Sequence, residues 1–171
     1  MKTVAADIFV KLNDQINKEL TAWYEYLAMS SWCSAHYFNG FASWLNSQAQ
    51  EEYAHAARLR TFLLERGAQV ELKALAEPRT DYESVLEIFE AALKQEEQNT
   101  QSINQIYQFA FENRAFASIP ELQWFITEQV EEERTAQINL AHIRMVKNDP
   151  AALLISIEPL GGASPVVSGS H

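Results

Sequence analysis

The chain has 171 residues, enough for one domain with a substantial core, and its composition of 47% hydrophobic and 21% charged residues is that of an ordinary globular protein. Acidic residues outnumber basic ones 23 to 13, giving a formal net charge of −10; this argues against a nucleic-acid partner, which needs a basic stripe, and permits cation binding. The single cysteine, Cys33, excludes an intramolecular disulfide and a cysteine-rich zinc site, and no stretch nears the ~20 apolar residues of a membrane span.

The opening residues, 1–10, include Asp7 and no long apolar run, so no signal peptide is expected and a cytoplasmic location is the default. A first helix is expected from about Asp7 to Ala35, with a stripe Leu12, Ile16, Trp23, Tyr26 and Ser30 at spacings of three and four. His36 to Gly40 reads as a turn. A second helix should run from Phe41 to Arg66 and stop at Gly67, with the stripe Leu45, Gln48, Glu52, His55, Leu59 and Phe62. Residues 68–81 lose periodicity and contain Pro78.

Thr80 or Asp81 then serves as the expected N-cap of a third helix over 82–113, with the stripe Leu86, Phe89, Leu93, Glu96, Thr100, Ile103 and Tyr107. After a short break, Pro120 suits the first turn of a fourth helix ending near Lys147. Its stripe is Leu122, Phe125, Gln129, Glu132, Ala136, Leu140 and Ile143. Asp149 and Pro150 open a short fifth segment, 151–157, and the Gly/Ser/Pro-rich end, 161–171, is expected to be a flexible tail on a domain spanning 1–160. Short turn, long link, short turn is the connectivity of an all-α, ferritin-like four-helix bundle with one long crossover and a short fifth C-terminal helix.

Stripes that face a core should be apolar. These carry Glu19, Glu52, His55, Glu96, Gln129 and Glu132, at least one from each helix and each near its middle. An unpaired buried carboxylate costs several kcal/mol, and four together repel one another. No Lys or Arg falls on these stripes between residues 19 and 57, so the remaining countercharge is a bound metal. Carboxylates with one imidazole suit iron or manganese. The Glu52-x-x-His55 spacing places two ligands one turn apart on one face, so that Glu52 could bridge to a second ion. Tyr26, two turns along the face from Glu19, could hydrogen-bond a ligand or give up an electron.

With these residues in place, the chain resembles the non-haem bacterial ferritins over about residues 5–160. The matching segments are 13–20 (NDQINKEL), 50–55 (QEEYAH), 94–101 (KQEEQNTQ) and 122–133 (LQWFITEQVEEE). The resemblance implies a ferroxidase centre in which Glu19, Glu52 and His55 hold a first iron. Glu52 would bridge to a second iron held by Glu96 with help from Glu132, Gln129 would orient a water or oxygen species, and Tyr26 would be a redox-active tyrosine. It further implies a third iron site at Glu51, Glu128, Glu131 and Glu132, and a shell of twenty-four copies in which the fifth helix lines a channel. Fe(II) and O2 or H2O2 would be the reactants. Two departures separate the chain from its neighbours. The second E-x-x-H of bacterioferritins is missing, since Glu131 and Thr135 stand three after Glu128 and Glu132, and Tyr53 replaces their haem-ligating methionine, so no haem is expected. The alternative reading is a bundle that stores iron or zinc without turnover.

Overall fold

A computed structural model describes residues 4–155. Five helices follow in order: α1 (Val4–Ala35), α2 (Asn39–Leu64), α3 (Val85–Glu112), α4 (Ile119–Val146) and the short α5 (Pro150–Ile155), with one 3-10 turn, Phe116–Ser118, before α4. The fold is the all-α bundle that the connectivity implies. The proposed tail lies outside the described residues, as do residues 156 and 157 of the fifth segment.

Three of the helix ends share one device. After α1, Phe38 N–H bonds Cys33 O at 2.9 Å and Tyr37 N–H bonds Ser34 O at 3.1 Å, with Tyr37 at φ 65°. After α2, Ala68 and Gly67 do the same to Leu63 and Leu64, with Gly67 at φ 69°. After α3, Ala115 and Arg114 bond Ala110 and Phe111, with Arg114 at φ 57°. This left-handed cap satisfies carbonyls that the helix leaves open. Glycine is the natural residue for it, and only α2 has one there.

Two boundaries differ from expectation. Gly40, expected in the turn, lies inside α2, and Tyr37 supplies the left-handed residue of that turn. The third helix starts after Ser84 rather than at residue 82. Ser84 is its N-cap and accepts from Glu87 N–H at 3.2 Å, while Arg79 draws Asp81 into the preceding loop through the Asp81 carbonyl at 2.7 Å.

The long link from 65 to 84 runs beside α1, held by two asparagines one helical turn apart. Asn13 Nδ2 donates to Glu71 O at 3.1 Å and its Oδ1 accepts from Glu71 N–H at 2.8 Å. Asn17 Nδ2 donates to Glu71 O at 2.9 Å and its Oδ1 accepts from Lys73 N–H at 2.7 Å. The link therefore passes from the start of α1 toward its end, where Tyr82 meets Trp32 edge-on at 6.4 Å. This crossover makes α3 antiparallel to α1. The pairs α1–α2 and α3–α4 pack as hairpins, and α1–α3 contacts join them.

The apolar interior is divided. One cluster joins Tyr26, Met29, Cys33, Phe41, Leu45, Ile88, Phe89 and Leu140. A second joins Ile8, Leu12, Ile16, Leu59, Phe62, Ile103, Leu122 and Phe125. Each fully buried large side chain contributes about 1.5–3 kcal/mol, so either cluster alone is a substantial clamp. Between them lies a layer of polar side chains.

The expected stripes of α2 and α4 are buried at every position. On α1, Trp23 and Ser30 are only half-buried, and on α3 so are Leu86, Leu93, Thr100 and Tyr107. The buried face of α3 instead includes Val85, Ile88, Ala92, Asn99, Ser102, Ile106 and Ala110 along with Phe89, Glu96 and Ile103. No described helix is long and apolar enough to cross a membrane.

Candidate metal centre

All four long helices feed the polar layer. α1 supplies Gln15, Glu19 and Tyr26; α2 supplies Gln48, Glu52 and His55; α3 supplies Glu96, Asn99 and Ser102; α4 supplies Gln129 and Glu132, and every one of these side chains is buried. The short α1–α2 and α3–α4 connections bring mid-helix positions to matching heights, and the crossover sets the second hairpin at the same level as the first.

Glu19, Glu52 and His55 converge, each with a ligand atom within 4.8 Å of the others. His55, Glu128 and Glu132 form a second such group, so the imidazole stands between the two. His55 Nδ1 lies 3.6 Å from Glu52 Oε2, and both atoms are buried without a hydrogen-bond partner. Buried polar atoms normally find partners, and two such unpartnered ligand atoms 3.6 Å apart fit a shared cation. Edge-on contacts from Trp124 and Phe125, each at 5.6 Å, fix the imidazole ring, and Arg58 caps Trp124 at 3.9 Å while pairing with Glu121 at 2.6 Å. The donor set of carboxylate oxygens and one imidazole fits iron.

Glu96 stands in a different environment. Tyr26 Oη donates to its Oε1 at 2.5 Å, and Gln129 Nε2 lies 3.3 Å from its Oε2, its backbone carbonyl and Thr100 Oγ1. Glu51 accepts from Gln48 Nε2 at 2.8 Å and stands beside Glu132. Glu51 and Glu128 are half-buried, whereas Glu131 is exposed and belongs to neither ligand group. His36 stacks on Trp32 at 3.8 Å, away from the centre, and His142 is exposed.

Electrostatics agree with the geometry. Burial raises the pKa of Glu19 well above the carboxylate range, helped by the charge of Glu52. Burial and then Glu96 do the same for Glu52. Burial also raises Glu96, against the hydrogen bonds of Tyr26 and Gln129. Burial, Glu96 and Glu51 push Glu132 up to about 9. Crowded acids of this kind favour protonation, and two divalent ions would match their four charges and favour the ionised forms.

Three contributors escaped the sequence reading. Gln15 and Asn99 hydrogen-bond each other and both donate to Glu19, and Ser102 donates to Gln15. The signal was present as spacing: Gln15 is one turn before Glu19, Asn99 one turn after Glu96, and Ser102 one turn after that. Placing Thr100 on the α3 stripe turned that face slightly and hid Asn99.

Comparison with known proteins follows the same lines. Residues 10–146 match the model of the ferritin-like domain. The bacterial non-heme ferritin of Staphylococcus aureus (strain USA300) is 32% identical over 158 residues, covering 92% of this chain and 95% of that protein. That of Staphylococcus haemolyticus is 32% identical over 161 residues, 94% of this chain and 97% of that one. Among solved structures, the open-pore ferritin of Archaeoglobus fulgidus aligns with a TM-score of 0.88 at 35% identity, over 92% of this chain and 96% of its own. A humanized archaeal ferritin aligns at 0.89 and 34% identity, with the same coverage of 92% and 96%. A bundle cut by a layer of interior acids, matched along nearly its whole length by these relatives, places the chain in the ferritin family.

Proposed function

We propose that the protein stores iron and is itself a ferroxidase: it binds two Fe(II) ions in the polar layer, oxidises them with O2 or H2O2, and mineralises the product inside a shell of identical chains. The observation that carries the reading is the orphaned pair Glu52 Oε2 and His55 Nδ1 within the Glu19, Glu52 and His55 group. Family membership and the non-heme ferritins named above support iron as the cargo.

Glu19, Glu52 and His55 bind the first Fe(II). Glu52 reaches toward the second, which Glu96 and Glu132 bind. Four carboxylates balance two divalent ions; when each iron loses one electron, two positive charges are left uncompensated, and the oxidised pair is drawn to further anionic oxygens. Hard oxygen donors favour the ferric state. Two electrons and two protons convert O2 to H2O2, and two more of each convert H2O2 to water. Protons leaving the crowded carboxylates as iron enters are available for these steps.

Gln129 and Tyr26 both hydrogen-bond Glu96 and so hold one side of the second position. The Tyr26 hydroxyl keeps its proton there, because burial and the neighbouring Glu96 raise its pKa. A single further electron can come from this phenol if its proton passes to Glu96. Glu51, Glu128, Glu131 and Glu132 hold a third iron; the convergence of Glu128 and Glu132 with His55 supports this reading. The shell has twenty-four chains, no haem, and works in the cytoplasm.

The test is a stopped-flow absorbance trace after mixing two Fe(II) per chain with aerobic protein. Wild type should show a fast ferric phase, and Glu52→Ala combined with His55→Ala should reduce it to the rate of iron in buffer. Equal slow traces would leave a bundle that binds iron without oxidising it.

A further inference from the structure

Polar side chains form one unbroken hydrogen-bonded relay from the surface to the acids. Lys18 Nζ, exposed on α1, donates to Ser102 Oγ of α3 at 2.6 Å. Ser102 donates to Gln15 Oε1 at 2.7 Å. Gln15 Nε2 donates to Glu19 Oε1 at 2.8 Å and to Asn99 Oδ1 at 2.5 Å. Asn99 Nδ2 donates to Glu19 Oε2 at 3.1 Å and to Gln129 Oε1 at 3.2 Å. Gln129 Nε2 then faces Glu96.

The relay has a direction, and its outer end sets it. An ammonium has three donors and no acceptor, so Ser102 must accept from Lys18 and give its single hydrogen onward. Gln15 therefore turns its carbonyl out to Ser102 and its NH2 inward. Asn99 then accepts on the Gln15 side and donates on the other. Gln129 in turn accepts from Asn99 and points its NH2 at Glu96. Reversing any one of the three amides would set acceptor against acceptor in a buried layer, where an unmade hydrogen bond is most costly.

We propose that Asn99 is a positioning residue for the metal centre, tying Glu19 at the first ion position to Gln129 and Glu96 at the second, and that Lys18 sets the direction of the amides between them. Its consequence for iron oxidation rests on the ferroxidase reading above. One hydrogen bond to each oxygen restrains rotation of the Glu19 carboxylate, so that its remaining lone pairs would meet a bound ion at a set angle. The Asn99 bond to Gln129 orients the amide that holds Glu96. A displacement of ~1 Å in such a pair costs on the order of 100-fold in rate.

Cobalt(II) is a suitable probe, since its visible ligand-field absorption reports coordination geometry without iron turnover. Wild type, Asn99→Leu, Ser102→Ala, Lys18→Met and Lys18→Arg are titrated with cobalt(II) and then assayed for Fe(II) oxidation at rising iron. Each variant should bind two cobalt(II) per chain. The band should change most in Asn99→Leu and less in Ser102→Ala and Lys18→Met, while Lys18→Arg, which keeps a donor, should restore the wild-type band. The maximal oxidation rate of Asn99→Leu should fall about tenfold or more, with a smaller change in the iron concentration at half-maximal rate. A wild-type band and rate in Asn99→Leu would overturn the positioning role. If Asn99→Leu does not fold, the surface pair decides: indistinguishable cobalt bands in Lys18→Met and Lys18→Arg would overturn the proposal. Slow oxidation by wild type would defeat the ferroxidase reading alone, because the cobalt comparison still reads the positioning of Glu19.

Discussion

Glu132 carries the clearest electrostatic consequence at the scale of one residue. Its carboxyl, pushed up to about 9 by burial, Glu96 and Glu51, is protonated in the metal-free fold at neutral pH and ionised in the unfolded chain. Because the folded pKa is raised, its contribution is fully present below the ordinary carboxylate range and is lost as pH rises toward about 9. The slope from one such group is at most about 1.4 kcal/mol per pH unit. Glu132→Gln removes it, so the metal-free variant should melt above metal-free wild type at pH 8 and match it near pH 4. Differential scanning calorimetry at both pH values decides this. The same acids must lose protons to bind a cation, so wild type should release protons on taking up Zn(II) and the variant fewer. Calorimetric titration in two buffers of different ionisation enthalpy measures the difference.

At the scale of the element, helix ends and the crossover carry stability that the stripes do not reveal. Tyr37 and Arg114 hold left-handed caps where a side chain costs about 1–2 kcal/mol, offset by the ~0.5–1 kcal/mol that glycine loses in unfolded-chain entropy. Arg114→Gly should therefore stabilise the protein by up to about 1 kcal/mol, read from the shift of its urea midpoint. The crossover depends on Asn13 and Asn17. Asn17→Ala removes its bonds to the Glu71 carbonyl and the Lys73 N–H, at about 0.5–1.5 kcal/mol each, and should speed proteolytic cutting within residues 65–84. The Asn13 and Asn17 spacing was visible in the sequence; that it grips backbone nearly sixty residues away was not, because a side-chain amide bonds any peptide group brought near it.

Over the whole molecule, the polar layer parts two apolar clusters that would otherwise form one core. Metal should bind the folded bundle and not the unfolded chain, so saturating Zn(II) should raise stability by about 2.7 kcal/mol at a hundred times its dissociation constant. Thermal melts with and without Zn(II) test this, and the gain should vanish in Glu52→Ala combined with His55→Ala. Light scattering on the eluting particle gives the number of chains that assemble, which the proposed shell sets at twenty-four.

Four long helices, one crossover and the acids that interrupt their stripes were legible from residue order, because those features are local: helical period, breakers and spacing within a turn or two. Glu19, Glu52, His55, Glu96, Gln129 and Glu132 were all legible as interior polar positions for that reason, and the structure buries each of them. Their common height, the orphaned meeting of Glu52 with His55, the exposure of Glu131 and the place of Asn99 between Glu19 and Gln129 came from helix packing instead. Those depend on how far α3 is rotated about its own axis and how far it slides along α1. Packing of whole helix faces sets both quantities, and no single stripe records them.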